Sequence, residues 1–290
     1  MLFTNSAGIV PHRCQSGYGT IAITMSKQGQ SGDFSRNTHP SGPKRSAPRL
    51  HISARLAVGA QITLPERAAR HVAVLRLREG DEVTLFNGDG GEFRAVLERL
   101  GRASTAVRVT EWLEIERESP LFITLAQCVS SGDRMDLTIQ KATELGVQSI
   151  VPIISKRSIV RLSGDRADRK LEHWRNIVIS ACEQCGRNRP PVIMPLAVLE
   201  DWLANLASPG KRLLLAPDAP GGPKLLQWES TRESAVTFLV GPEGGLAPDE
   251  RTAAEAAGFL AMRLGPRILR TETAPLAAIA ALQTLWGDLG

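Results

Sequence analysis

The residues of this chain with the clearest capacity for chemistry lie near its end, in two stretches punctuated by glycine. Gly241-Pro242-Glu243-Gly244-Gly245 follows the apolar run Val236-Thr237-Phe238-Leu239-Val240. A second run, Leu260 to Leu264, leads into Gly265-Pro266-Arg267-Ile268-Leu269-Arg270-Thr271-Glu272-Thr273. Glycines at the carboxyl ends of strands let backbone amides and carbonyls approach a ligand closely, and in open α/β sheets that edge is where ligands bind. Two such loops in succession point to one pocket. A phosphate loop needs a lysine and a hydroxyl residue after its last glycine, whereas Leu246-Ala247 follow Gly245, and G-x-G-x-x-G is also absent. A pocket built around a triphosphate or pyrophosphate is therefore disfavoured. By itself a glycine loop after a strand serves equally well as a structural turn.

Cys182 and Cys185 form a second candidate group, a C-x-x-C pair. No second pair completes a four-ligand zinc site, and four cysteines in 290 residues do not make a disulfide framework. Their surroundings, Trp174 to Gly186, read as an amphipathic helix with a glycine stop. Buried helical cysteines are expected rather than metal or redox chemistry.

The elements that must position the glycine loops follow from periodicity. Pro248-Asp249-Glu250 opens a helical pattern that stops at Gly258, and an alanine-rich helix follows Thr273, so strand, glycine turn and helix occur twice. Upstream, an apolar strand from Leu121 to Val129 precedes a helix whose apolar positions Met135, Ile139, Ala142 and Leu145 share one face. Then come a strand from Ile150 to Ile154, the helix around Trp174, a helix from about Val198 to Leu206 and a strand from Lys211 to Ala216. Strands alternating with helices predict a parallel sheet covered on both faces.

Residues 48–117 differ: Ile62-Thr63-Leu64, Glu82 to Phe86, Glu92 to Leu97 and Thr105 to Val109 read as strands, and Asn87-Gly88-Asp89-Gly90-Gly91 reads as a hairpin turn. With one helix, Pro65 to Arg76, this predicts a small barrel-like domain. An acidic segment closed by Pro120 marks the boundary with a second domain at 120–290. Both are long enough for cores of their own. Residues 1–47, rich in Ser, Gly, Thr, Asn and Pro, are expected to be disordered. They could act as a short basic tether for RNA, or belong to an over-long gene assignment, with Met25 as an alternative start.

Charge is uneven. Six of the 35 Lys and Arg and one of the 30 Asp and Glu lie in residues 1–50, so residues 51–290 carry 29 of each. Any RNA surface in the body must then be a local arginine patch. No run of 18 apolar residues and no signal peptide is present, which predicts a soluble cytoplasmic protein without membrane contact.

Taken together, Gly241 to Gly245 and Leu264 to Ala274 closely resemble the cofactor region of the RsmE-type 16S ribosomal RNA uridine-N3 methyltransferases of the SPOUT superfamily. Gly132 to Asp136, Gln140 to Val147, Glu183 to Arg187, Arg70 to Arg76 and Phe86 to Gly90 match in the same way, so the resemblance spans about residues 48 to 290. Ser131 departs from it where a lysine is common, and Ala247 where a serine often caps the helix. The resemblance implies an α/β protein: a PUA-like RNA-binding barrel followed by a SPOUT domain tied into a trefoil knot. It implies S-adenosylmethionine as cofactor, held by Leu215, Ala216, Val240, Gly241, Pro242, Glu243, Gly245, Leu264, Gly265, Ile268, Leu269, Arg270 and Thr273. It further implies N3 of uridine 1498 of 16S rRNA as the target, met in the small ribosomal subunit, and a homodimer whose interface includes the helix from Thr273 to Leu285.

N3 of neutral uracil carries a proton that must leave on methylation. Under the resemblance, Arg270 could stabilise the anionic oxygens beside N3 and Glu272 could accept the proton. Alternatively, Arg270 and Glu272 pair with each other and Glu243 only braces its loop. Candidate RNA contacts are Arg49, Arg55, Arg76, Arg78 and Arg94 in the first domain, and Lys156, Arg157, Arg187 and Arg189 in the second. A non-catalytic RNA-binding factor and an α/β enzyme for another nucleotide are the competing classes.

Overall fold

The computed structural model describes residues 47–101, 104–160, 162–206, 210–222 and 235–290. The tail expected to be disordered, residues 1–47, falls almost wholly outside them.

The first domain is a five-stranded sheet ordered β1-β3-β4-β5-β2, from β1 (Arg49–His51), β2 (Gln61–Thr63), β3 (Glu82–Phe86), β4 (Glu92–Leu100) and β5 (Thr105–Leu113). The β1–β3 pair is parallel and the others are antiparallel. The Asn87 to Gly91 turn joins β3 to β4 as the hairpin signal predicts, with the Asn87 carboxamide oxygen accepting the Asp89 N–H. Helix α1 (Glu66–Val74) lays Ala68 and Val72 on a core of Leu50, Val83, Leu85, Leu97 and Val107.

In the second domain all sheet pairings are parallel, in the order β12-β10-β11-β6-β7-β8, with β9 also on β7. The strands are β6 (Phe122–Cys128), β7 (Ser149–Ile154), β8 (Val192–Ile193), β9 (Ala197–Val198), β10 (Lys211–Leu215), β11 (Ala235–Val240) and β12 (Leu260–Met262). The period of two decides what covers each face. Ile123, Leu125, Ile150, Leu213, Val236 and Phe238 face α2 (Arg134–Glu144), α3 (Gly164–Cys185) and α6 (Thr273–Trp286). Their neighbours Ala126, Val151, Ile153, Leu214 and Leu239 face α4 (Leu199–Ala204) and α5 (Pro248–Ala256). The sheet is thus buried on both sides, which is why its strands read as nearly continuous apolar runs.

Helix ends show how local chemistry sets these elements. Helices α2 and α5 end in Gly146 and Gly258, at φ 87° and 84°, each followed by a bond from the next amide back to Ala142 or Ala254. At the start of α5, Ala247 offers no side-chain acceptor. Only half of a capping box exists there: Glu250 accepts the Ala247 N–H at 2.8 Å with one carboxylate oxygen and the Lys156 N–H at 2.7 Å with the other. Trp174, fully buried in α3, has its indole N–H satisfied by Asp136 of α2 at 3.0 Å.

Two expected RNA contacts are corrected by burial. Arg187 is 3% exposed; its guanidinium donates to the carbonyls of Thr143 and Val147, both at 2.8 Å, and to the Glu118 carboxylate. Arg49 is turned inward to Glu92, to the Asn188 side chain at 2.6 Å and to the Arg187 carbonyl. Both arginines are spent on the junction between the domains, where a cation leaving water needs partners, although Arg49 Nε is buried with no hydrogen-bond partner among the described residues. Arg67 adds a paired bond to Glu183 at the end of α3.

Candidate functional site

The carboxyl ends of β10 and β11 and the segment after β12 enclose a cleft of about 420 Å³. Leu215 and Pro217 come from the end of β10, Val240, Gly241, Pro242, Glu243 and Gly245 from the end of β11, and Ile268 to Glu272 from the last segment. A smaller cavity of about 40 Å³ shares Leu215, Pro217 and Leu269 and adds Ala216, Met262, Leu264, Arg267 and Ala274. The three segments expected to converge therefore do so. Gly265 and Thr273 line neither cavity; Gly265 instead supplies a turn at φ 68°.

Glycine is needed in the β11 loop for space and for backbone angle. A Cβ on Gly241 would lie 3.2 Å from the Leu246 amide, and Gly245 sits at φ 67°. The loop is held from three directions. Glu243 accepts the Ser131 amide and hydroxyl, both at 3.0 Å, and Arg134 at 2.8 Å, tying it to the start of α2. Arg157 donates to the carbonyls of Gly244 and Leu246, while the Thr271 hydroxyl donates to the Gly241 carbonyl at 2.7 Å and accepts from Gln127 of β6. Burial alone would raise the Glu243 pKa. The donors from Ser131, its own backbone and Arg134 overcome that and hold it below the ordinary glutamate value.

Arg270 is exposed on the cleft and has no ion pair among the described residues. Glu272 is not its partner. The nearest cation to Glu272 is Arg134, whose Nε lies 3.9 Å from Oε1; the second oxygen, Oε2, is buried and without a hydrogen-bond partner among the described residues. Arg134 also lines the cleft, and the sequence alone assigns it no role. It lies within the matching block Gly132 to Asp136, but nothing local tells that an arginine more than a hundred residues upstream bonds Glu243 and stands 3.9 Å from Glu272.

The other expected RNA contacts scatter. Arg55, Arg76 and Arg78 are exposed, Arg94 pairs with Glu111 across β4 and β5, and Arg189 lies 3.5 Å from Glu116. Lys156 pairs with Asp249 and Glu200 beside the glycine loop. Cys182 is buried in α3 and Cys185 half-buried, and among the described residues no group of three or more His, Cys, Asp or Glu could hold a metal. Among the described residues no helix is long and apolar enough to cross a membrane.

This arrangement suits a small ligand that has both apolar and polar parts. Its volume lies in the range of about 300–1,000 Å³ typical of ligand sites. Leu215, Ile268 and Leu269 supply apolar walls, the glycine loop admits close approach, and the orphaned Glu272 oxygen calls for a donor.

The chain matches the RNA methyltransferase domain over residues 117–283 and the RNA methyltransferase PUA domain over 64–108. It is 33% identical over 247 residues to a ribosomal RNA small subunit methyltransferase E from Buchnera aphidicola, covering 85% of this chain and 99% of that one. A crystal structure of a ribosomal RNA small subunit methyltransferase E from Neisseria gonorrhoeae bound to S-adenosyl methionine is 45% identical, with TM-score 0.80 over 84% of this chain and 100% of that one. A Legionella pneumophila methyltransferase in complex with the bound cofactor SAM is 38% identical, with TM-score 0.79 over 84% of this chain and 99% of that one.

Proposed function

This chain belongs to the ribosomal RNA small subunit methyltransferase E family, and from that premise we propose that it methylates N3 of one uridine in 16S rRNA, uridine 1498 in the family's standard numbering, within the assembled 30S subunit. At the coarser level it is an S-adenosylmethionine-dependent rRNA methyltransferase with a PUA domain and a SPOUT catalytic domain. The choice of base and the state of the substrate are the proposal. The observation that carries it is that one cleft wall holds both Arg270, which has no ion pair among the described residues, and Glu272, whose buried Oε2 has no hydrogen-bond donor among them.

Bound in the cleft, S-adenosylmethionine supplies a methyl group already activated on a sulfonium. The chain must then orient the base and deal with its proton. Leu215, Ala216, Val240, Gly241, Pro242, Gly245, Leu264, Ile268 and Leu269 would hold the cofactor through apolar contact and backbone groups. Glu272 accepts the N3 proton, Arg270 steadies the charge that spreads onto the flanking carbonyl oxygens, and Arg134 fixes Glu272 in place. The target is reached unpaired or flipped, since N3 lies on the Watson–Crick edge. A homodimer belongs to this reading: Ile268 on the cleft loop is 83% exposed and Leu285 on α6 is 57% exposed, apolar surface that a second copy would cover.

The test uses purified protein, labelled cofactor and 30S subunits that lack the modification, with digestion of the product to nucleosides. Label is expected in N3-methyluridine from 16S rRNA, with Arg270→Ala lowering kcat/KM by about a hundredfold. Label in a different nucleoside, or none, contradicts the assignment.

A further inference from the structure

Every second residue from Leu121 through β6 to Val129 turns toward α2, α3 and α6, and a sheet buried on both faces calls for an apolar side chain at each. Leu121, Ile123, Leu125 and Val129 comply and join the core on that side. Gln127 does not. It is fully buried beside Val240, the last residue of β11, and it is not one of the side chains that line the cleft.

The bonds of Gln127 explain the exception. Its amide nitrogen donates to the Cys128 carbonyl and to the Thr271 hydroxyl, both at 3.1 Å, and that hydroxyl donates onward to the Gly241 carbonyl at 2.7 Å. The direction of this chain is fixed at both ends, because a carbonyl only accepts. The amide cannot turn over without setting its oxygen against the Cys128 carbonyl. Oε1 is therefore left buried with no donor among the described residues. An apolar side chain of the same shape would avoid that penalty, so folding alone does not account for a glutamine here.

The far end of the chain supplies the reason. Gly241 opens the glycine loop on one wall of the cleft. Thr271 stands on the other wall between Arg270 and Glu272, in a turn where the Arg270 carbonyl accepts the Thr273 and Ala274 amides, both at 2.9 Å, as α6 begins. One hydroxyl thus joins the two walls, and Gln127 holds it from behind. We infer that Gln127 is a positioning residue for methyl transfer: acting through Thr271, it sets the spacing between the glycine loop and the segment that carries Arg270 and Glu272. This role rests on the reaction proposed above and adds the residue that aligns its two walls.

The experiment compares wild type, Gln127→Met, Thr271→Val and the double variant by urea denaturation and by calorimetric titration with S-adenosylmethionine. A third measurement is single-turnover methylation, at saturating cofactor, of 30S subunits that lack the modification. Gln127→Met is expected to keep or raise the urea midpoint while weakening cofactor binding and slowing the single-turnover rate, each roughly tenfold. Thr271→Val should lower binding and rate in the same way, and the double variant should be no worse than either alone, since both substitutions break one chain. Unchanged cofactor affinity or an unchanged rate in Gln127→Met overturns the positioning role. So does a lowered urea midpoint in that variant, which would mark Gln127 as a structural residue, and so does full additivity of the two substitutions. If the wild type binds S-adenosylmethionine but methylates no uridine in the subunits, the proposed function fails, while the cofactor titrations still decide the role of Gln127.

Discussion

Arg134 ties two parts of the cleft together. It reaches from the first turn of α2 to Glu243 at 2.8 Å and stands 3.9 Å from Glu272, so one guanidinium steadies both the glycine loop and the candidate proton acceptor. Arg134→Ala is expected to lower kcat by about ten- to a hundredfold while the folded state persists, because Glu243 keeps its Ser131 donors. If Arg134 works through Glu272, adding Arg134→Ala to Glu272→Gln will cost little more than Glu272→Gln alone; full additivity in single-turnover rates would contradict that coupling. That the glycine loop, Arg270 and Glu272 line one cleft was legible from spacing and resemblance because they lie in two short segments. Arg134 was not, because it joins them only through the fold, and the alternative of an Arg270–Glu272 pair gives way to this longer-range contact.

The strands and helices were the most legible part, since runs such as Val236 to Val240 and breaks such as Gly258 have local physical causes. Ala247 tests one of these causes. A serine there can accept a first-turn amide of α5, so Ala247→Ser is expected to raise stability by about 1 kcal/mol in urea denaturation. The α2–α3 contact tests another. Burial would raise the pKa of Asp136, but His173, Lys170 and Trp174 all bond its carboxylate and the net shift is downward. A lowered carboxylate pKa stabilises the fold above the unfolded value near 4 and stops doing so as pH falls through the folded value. Asp136→Asn should therefore cost about 1–2 kcal/mol at pH 7 and progressively less as pH falls below the ordinary aspartate range, through the lowered folded-state value. A gap that stays constant as the pH is lowered through the acid range would show that the charge is not what matters.

At the scale of the molecule, the junction between the domains was the least legible feature. Arginine is normally exposed, so Arg49 and Arg187 read as RNA contacts; only the fold reveals Glu92, Glu118, Asn188 and the carbonyls of Thr143 and Val147 waiting for them. Arg187→Ala removes a buried cation from a half-buried carboxylate and two carbonyls, so it should lower stability by about 2–4 kcal/mol, read as a shifted urea midpoint. A variant of unchanged stability but weakened RNA binding would restore the original reading. The trefoil knot that the resemblance implies lay equally beyond hydropathy, because chain crossings leave no trace in residue patterns and knots run against the usual rule of fold topology. The junction matters for function because it fixes the RNA-binding domain against the domain that carries the cleft. The most direct measurement is a base-resolved map of N3-methyluridine in 16S rRNA from cells with and without this gene, complemented by wild type or Arg270→Ala. The account predicts one uridine that loses its methyl group without the gene, regains it with wild type and stays bare with the variant. A map that does not change when the gene is removed would contradict it.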